Sequence, residues 1–574
     1  MITVSDYIAD FLDAQGVECV FELIGGMITL MIDSLHTRGK IRLVSVHHEQ
    51  AAAFAAEGFA RISGVPGVAM ATSGPGAVNL LTGIGSCYFD STPAVFITGQ
   101  VNTFELKGDR QVRQLGFQET DIVSMAKSIT KAAWRAESAI EVPSLLEKAF
   151  SLALSGRPGP VLLDIPMDLQ KTQISVPVPA KISQIRVQET KHQLIEQMLT
   201  DLQAARRPLI VAGGGLRTAR VVEQFRNLVQ ILGVPVVNSL MAVDVLPAAH
   251  PLRVGLLGSY GNRWSNYAVG LSDFLLVLGS RLDIRQTGAD TDAFKAGRTI
   301  YHVDCESGEV NNRVIGCHEI ITDLQSFVPA VLESVTGRTF SLYGEWMMEI
   351  AEKRDEWPDT MELQGVPGIN PNHFMHQLSA VSTKASTYII DVGQHQMWAC
   401  QSLQLCGNQR LLTSGGMGAM GFALPAAMGA VLADAKNPVL VVAGDGGFQL
   451  NIQELQTVAR NQLPIKMVIL NNHCHGMVRQ FQQSYFEERY QSTYWGYSAP
   501  DFTNVANAYG IDACSVESPS DVSVGLERMW SNPDAPFLLE VVINTLANAY
   551  PKIAFGYPLT EMEPNVKPIA MEST

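Results

Sequence analysis

Gly444-Asp445-Gly446-Gly447 follows directly on residues 439–443, a run of apolar and β-branched residues that predicts a buried strand. Glycines at such a point let the backbone approach a phosphate closely. A helix starting behind them adds unpaired N–H groups and the positive end of its dipole. A second apolar run, 465–470, ends in Asn471-Asn472. Asp445 and the Asn472 side-chain carbonyl are hard oxygen ligands, the kind Mg²⁺ takes when it also holds phosphate oxygens. The backbone carbonyl of Cys474 completes such a set. Gly-Asp-Gly alone is a common turn; the second strand ending in paired asparagines makes it specific. His473-Cys474-His475 suggests a softer metal, but three adjacent side chains do not converge on one ion without unusual backbone geometry.

Two further clusters carry chemistry. Glu49, in Val46-His47-His48-Glu49-Gln50-Ala51, stands at the start of an alanine-rich helix, where an acid is expected for the helix dipole alone. Residues 207–215 run from a strand into Gly213-Gly214-Gly215, followed later by Gly279-Ser280-Arg281 and His302-Val303-Asp304. Such glycine turns suit a pyrophosphate, the arginines its charge, and Asp304 at a strand end an adenosine edge.

The elements that must hold these residues follow a simple rhythm. Short runs at 94–98, 161–165, 209–211, 274–278, 439–443 and 467–470 alternate with helical patterns and lack polar alternation. That predicts α/β architecture with parallel sheets covered by helices on both faces. Sheets of this kind bind ligands at the carboxyl ends of their strands, where the Asp445 and Asn472 clusters fall. An amphipathic helix carrying Ile452, Leu455, Val458 and Ala459 is expected after the glycine turn. Breaks at 174–183 and 357–371 divide the 574 residues into segments 1–175, 188–345 and 368–547. A tail, 548–574, is expected to be a cover or a packing arm. One core cannot serve a chain of this length.

Composition narrows the partners. With 47% hydrophobic and 17% charged residues and a net charge of −15, the chain suits a compact enzyme and lacks the basic face a nucleic acid requires. The first twenty residues have no basic n-region, and the uncharged stretches are broken by glycine and proline, so neither a signal peptide nor a membrane span is expected. Eight scattered cysteines without a CxxC pair suggest reduced thiols in a cytoplasmic protein.

Beyond these residue-level inferences, Gly444–Gly447 with Asn471-Asn472 resembles the signature of thiamine-diphosphate enzymes. The stretches 391–398 and 412–421 look like acetohydroxyacid synthase almost letter for letter. The resemblance covers nearly the whole chain. It implies three doubly wound parallel-sheet domains: pyrimidine-binding, middle and diphosphate-binding. It also implies thiamine diphosphate and Mg²⁺, with Asp445, Asn472 and Cys474 at the metal, and Gln394, His395, Gly444, Gly446, Gly447, Gly476 and Met477 around the diphosphate. Glu49 becomes the acid that bonds the aminopyrimidine, flanked by Gly25, Gly26, Ser73, Pro75 and Asn79. Gly418 accepts from the 4′-amine and Met420 props the cofactor into its bent shape. The middle segment resembles an FAD-binding domain, with Gly213, Gly214, Arg281 and Asp304 as contacts and a structural role for the flavin. Phe117 and Gln118 line the substrate pocket, and Arg285 holds the carboxylate of the second keto acid. Active sites between subunits imply a homodimer or homotetramer.

The implied activity is decarboxylation of a 2-keto acid, pyruvate first, with transfer of the two-carbon acyl unit to a ketone acceptor. Departures from the family pattern cluster on the acceptor side. Phe481 replaces a tryptophan, Ser259-Tyr260 replaces Met-His, and Leu23-Ile24 precedes Gly25-Gly26 in place of Tyr-Pro. These leave two alternatives open: acetyl transfer to a keto-sugar nucleotide, and a flavin-dependent 2-keto acid oxidase.

Overall fold

Apolar runs without alternation become strands buried on both faces. In the computed structural model, which describes residues 1–182, 192–340, 342–434 and 437–569, they assemble into three six-stranded parallel sheets. The first and third share one strand order. In the first it runs Arg42–Ser45, Cys19–Leu23, Gly67–Ala71, Ala94–Gln100, Pro160–Pro166, Ala132–Arg135. In the third it runs Arg410–Thr413, Thr387–Ile390, Val439–Gly444, Ile465–Asn471, Phe537–Val542, Asp512–Val516. The middle sheet runs Arg253–Leu256, Val236–Asn238, Pro208–Ala212, Phe274–Leu278, Thr299–Asp304, His318–Ile321.

In each sheet the crossover direction reverses near the middle of the strand order, and a crevice opens there at the carboxyl ends of the strands. In the third sheet the reversal lies between Thr387–Ile390 and Val439–Gly444. In the middle sheet it lies between Pro208–Ala212 and Phe274–Leu278, and in the first between Cys19–Leu23 and Gly67–Ala71. Residues 391–395 and 445–447, 213–215 and 279–281, and 24–26 and 72–75 are therefore placed at the three crevices by topology alone.

The first and third sheets share a core. Helix Glu49–Ser63 opens on His48, whose Nδ1 accepts from Gln50 N, and stops at Gly64 with φ 71°. Its alanines let helix Ala423–Ala433 approach until backbones touch. A Cβ on Gly429 would lie 1.8 Å from the Ala55 carbonyl oxygen, and one on Gly58 would lie 2.1 Å from that of Ala426. Side chains from both helices fill the space between the two sheets. The middle sheet has its own core, which takes in Trp346 and Ile350 beyond residue 345, and Ile553 and Leu559 from the C-terminal segment.

Two local features differ from the sequence expectations. The helix after Gly444 begins at Asp445 and is broken: Asp445–Phe448, a 3₁₀ stretch Gln449–Glu454, then Leu455–Asn461. Asn451 leaves helical geometry (φ −133°) while its amide donates to the Gly421 carbonyl and to Gln50 Oε1. Tertiary hydrogen bonding overrides the helical period there. The stretch 174–183 is only partly a linker, because Gln173–Ile174 pairs antiparallel with Ile2–Thr3. Ser183 and the expected start of the middle segment at 188 lie outside the described residues, as do 570–574. The C-terminal segment packs against the body: Lys552–Ile553 pairs with Met562–Glu563, and Arg263 donates to the Glu563 carbonyl. Among the described residues no helix is long and apolar enough to cross a membrane.

Candidate active site

The carboxyl ends of two neighbouring strands build the first part of the site. Asp445 starts its helix immediately after strand Val439–Gly444, and Asn472 follows strand Ile465–Asn471; both are buried. Cys474 N donates to Asn472 Oδ1 at 3.2 Å, and the same amide hydrogen-bonds the Asp445 carboxyl. The three residues expected at the metal therefore converge. Burial pushes the Asp445 carboxyl up to about 7, against hydrogen bonds from Tyr497 and neighbouring amides that favour its charged form. Such a carboxyl is ready for a cation, which replaces the proton.

Around this point the backbone forms a cradle. A Cβ on Gly476 would come within 1.9 Å of Gln394 Oε1 and 2.6 Å of Asn472 Nδ2, so a larger residue would displace those two side chains. His395 is buried against Gly444, and its Nε2 has no protein partner. Burial holds its pKa down to about 3, so the ring is neutral. A buried, unpaired ring nitrogen beside phosphate-sized glycine turns is what a diphosphate oxygen needs. Asn472 Nδ2 donates to Gln394 Oε1, Gln394 Nε2 to Gln480 Oε1, and Gln480 Nε2 to the Ala549 carbonyl. The C-terminal segment is thereby tied to the cradle. Met477 lies half-buried on the same helix as Gly476.

The second part belongs to the first domain. Glu49 is not the cap its position suggests: His48 caps, and Glu49 is buried with Oε2 accepting from Asn79 Nδ2 at 2.9 Å. Pro75 opens the short helix that ends at Asn79, and a Cβ on Gly76 would meet Glu49 Oε1. Ser73 is buried with its hydroxyl unpartnered. Gln118, at φ 65°, packs on Gly74, and Gly25 lies against Thr72. These residues gather at one crevice with Gly26 beside them. Phe117, next to Gln118 in the chain, is 79% exposed.

Loop 414–421 lies between the parts. Asp391 Oδ1 accepts from Gly421 N and Oδ2 from Ala423 N. Gly418 has φ 69°, and Met420 is half-buried.

The third part is a cavity of about 770 Å³ at the middle-sheet crevice. Gly214, Arg281, Asp304 and Arg285 line it, while Gly213 sits beneath, packed on Gly279. The volume falls within the range of cofactor sites, roughly 300–1,000 Å³. Arg157 spans one end, paired with Glu306 and Glu309 at 2.9 and 2.6 Å. At the other end Arg285 reaches Met397, on the helix that begins with Gln394 and His395. Ser259 and Tyr260 also line the cavity, whereas Phe481 packs at a tilt against Tyr485 and is not among its lining residues.

His473, Cys474 and His475 do not share a focus. Cys474 Sγ points to the Thr545 carbonyl, and His475 packs edge-on against Tyr497. Among the described residues no group of three or more His, Cys, Asp or Glu is arranged to hold a metal. Sequence reasoning missed Tyr497, Gln480 and the anchoring role of Asp391. Asp391 and Gln480 lay in stretches that resemble the family, at 391–398 and 476–480, whereas Tyr497 did not.

A chain with these sheets, crevices and cradle belongs to the thiamine pyrophosphate enzyme family. Its residues 2–125, 195–331 and 391–541 match the N-terminal TPP binding, central and C-terminal TPP binding domains of those enzymes. Relatives that match nearly the whole chain include acetolactate synthases. The large subunit from Lactococcus lactis is 34% identical over 97% of this chain and 95% of its own length. The isozyme 2 large subunit from Escherichia coli is 36% identical over 97% and 98%. Acetolactate synthase 2, chloroplastic, from Nicotiana tabacum is 35% identical over 96% and 84%.

Proposed function

We propose that this chain is a thiamine-diphosphate-dependent carboligase that converts two pyruvates to acetolactate and CO₂. The observation that carries this is the convergence of Asp445, Asn472 and Cys474 on one glycine-lined cradle. Asp445, the Asn472 carbonyl and the Cys474 backbone carbonyl would hold Mg²⁺. The amides of Gly446 and Gly447, with Gln394 and His395, would hold the diphosphate. When bound, thiamine diphosphate supplies the carbon that adds to the keto group and takes up electrons as CO₂ leaves.

The protein's own residues direct that chemistry. Glu49, oriented by Asn79, would hold and return a proton at the aminopyrimidine ring nitrogen. The Gly418 carbonyl would orient the 4′-amine, and Met420 would fix the bend. Gln118 and Phe117 would border the substrate, and the Arg285 guanidinium would take the acceptor carboxylate. The cavity with Gly214, Arg281 and Asp304 would hold FAD as a structural group, since joining two pyruvates has no net redox step.

A second copy of the chain completes the site. Phe104, Leu115 and Phe117, all on the loop carrying Gln118, are 74%, 48% and 79% exposed. Large apolar side chains there call for a covering partner, so we assign a homodimer or a tetramer built from it. The eight unpaired cysteines suit a reducing cytoplasm. The acetolactate synthase relatives do not favour the keto-sugar or oxidase alternatives. CO₂ release from pyruvate, measured with and without thiamine diphosphate and Mg²⁺, tests the donor half. It should require both and stop with a chelator. Release that needs neither overturns the assignment.

A further inference from the structure

Loop 414–421 carries Gly418 and Met420 yet is fastened from the first domain of the same chain. Asp90 Oδ2 accepts from Gly415 N at 3.1 Å, and Oδ1 accepts from Gly416 N at 2.6 Å. The Asp90 side chain is 1% exposed, and its cation is Arg61, with Nη2 3.3 Å away. Arg61 also donates to the Thr413 carbonyl at 2.7 Å and lies 3.5 Å from Glu57. Inside the loop, Ser414 Oγ accepts from Ala419 N and sits 3.5 Å from Ser86 Oγ.

The loop has little room to shift. A Cβ on Gly415 would lie 2.4 Å from Met241 Sδ, and one on Gly416 would lie 2.8 Å from the Phe89 carbonyl oxygen. A buried carboxylate whose paired guanidinium is shared with another acid is costly unless other donors compensate. The compensating donors are the two loop amides. The position of the carboxylate and that of the loop are therefore one variable.

We propose that Asp90, held by Arg61, is a positioning residue that sets loop 414–421 so that Gly418 and Met420 meet the cofactor. This rests on the thiamine diphosphate assignment above. Asp90 lines the edge of the cavity assigned to the flavin but is not among the residues assigned to thiamine diphosphate or substrate; it acts on those through the Gly415-Gly416 backbone.

The test measures thiamine diphosphate affinity at saturating Mg²⁺ for wild type, Asp90→Asn and Asp90→Ala, alongside melting temperature and pyruvate KM. The expected order is a wild-type Kd, one raised about tenfold in the asparagine variant, which keeps one acceptor, and one raised further in the alanine variant. Pyruvate KM at saturating cofactor should hold steady while kcat falls, a split that general destabilisation does not give. Variants that bind the cofactor as tightly as wild type overturn the proposal alone. Wild type that binds no thiamine diphosphate overturns the parent assignment and the proposal with it. If the variants fail to fold, hydrogen exchange on the wild-type chain decides. Gly416 is exposed, so slow exchange of its amide supports the Asp90 bond, and exchange at the rate of an open loop overturns it.

Discussion

The Tyr497 hydroxyl donates to Asp445 Oδ2 at 2.9 Å, placing the aromatic loop 490–497 directly on the residue assigned to the metal. His475, packed edge-on against the Tyr497 ring with centroids 4.6 Å apart, holds that ring in place. The bond orients the carboxylate, which neighbouring amides also hold. Outer hydrogen bonds of this kind commonly shift metal affinity by roughly 10- to 100-fold. Tyr497→Phe is expected to weaken Mg²⁺ binding about tenfold in a calorimetric titration with thiamine diphosphate present, without lowering the melting temperature. Unchanged Mg²⁺ affinity would show the contact to be incidental.

Glu49 is expected to act on a proton and not merely to cap its helix, because His48 occupies the cap and Glu49 is buried facing Asn79. Glu49→Gln should slow C2 proton exchange of bound thiamine diphosphate by roughly 10²–10⁴-fold, the range for a lost acid–base group. Exchange at the wild-type rate, followed by NMR, would remove Glu49 from the chemistry.

Arg61 serves two buried acids, Glu57 and Asp90. Burial, with Asp90 nearby, pushes the Glu57 carboxyl from 4.5 up to about 7 despite Arg61. The native state thus keeps a proton that the unfolded chain releases, and Glu57 lowers stability as pH rises from about 4.5 to 7. Below that window Glu57→Gln should match wild type. At pH 8 the variant should be the more stable of the two, since it carries no charge to bury. Urea unfolding at the two pH values checks this, and a gap independent of pH contradicts it.

The crossing of helices Glu49–Ser63 and Ala423–Ala433 depends on Gly429, where a Cβ would meet Ala55 O at 1.8 Å. Gly429→Val must push the two helices apart and open the core shared by the first and third sheets. A loss of about 3 kcal/mol or more is expected, read as a lowered melting temperature. An unchanged melting temperature would mean the crossing is not as close as described.

The parts of the site written as strand-then-turn were legible in the sequence. Residues 439–447 and 465–472 are each a buried strand with its ligand group at the carboxyl end, so the spacing carries the geometry. Glu49 was legible only through family resemblance. By pattern it looked like a dipole-stabilising acid, and burial against Asn79 is a tertiary fact. The break at Asn451 and the reach of Tyr497 to Asp445 had no local signal, because each depends on a partner distant in the chain or across a loop. The shared strand order of the first and third sheets was equally silent: a repeated topology needs only a repeated pattern of elements, not repeated residues. Phe117 was assigned to a pocket and is exposed in the single chain.

Product stoichiometry tests the central claim most directly. Purified protein with thiamine diphosphate, Mg²⁺ and pyruvate should release one CO₂ for each acetolactate formed, with two pyruvates consumed. CO₂ release accompanied by acetaldehyde or acetate in place of acetolactate would contradict a carboligase, even with the cofactor chemistry intact.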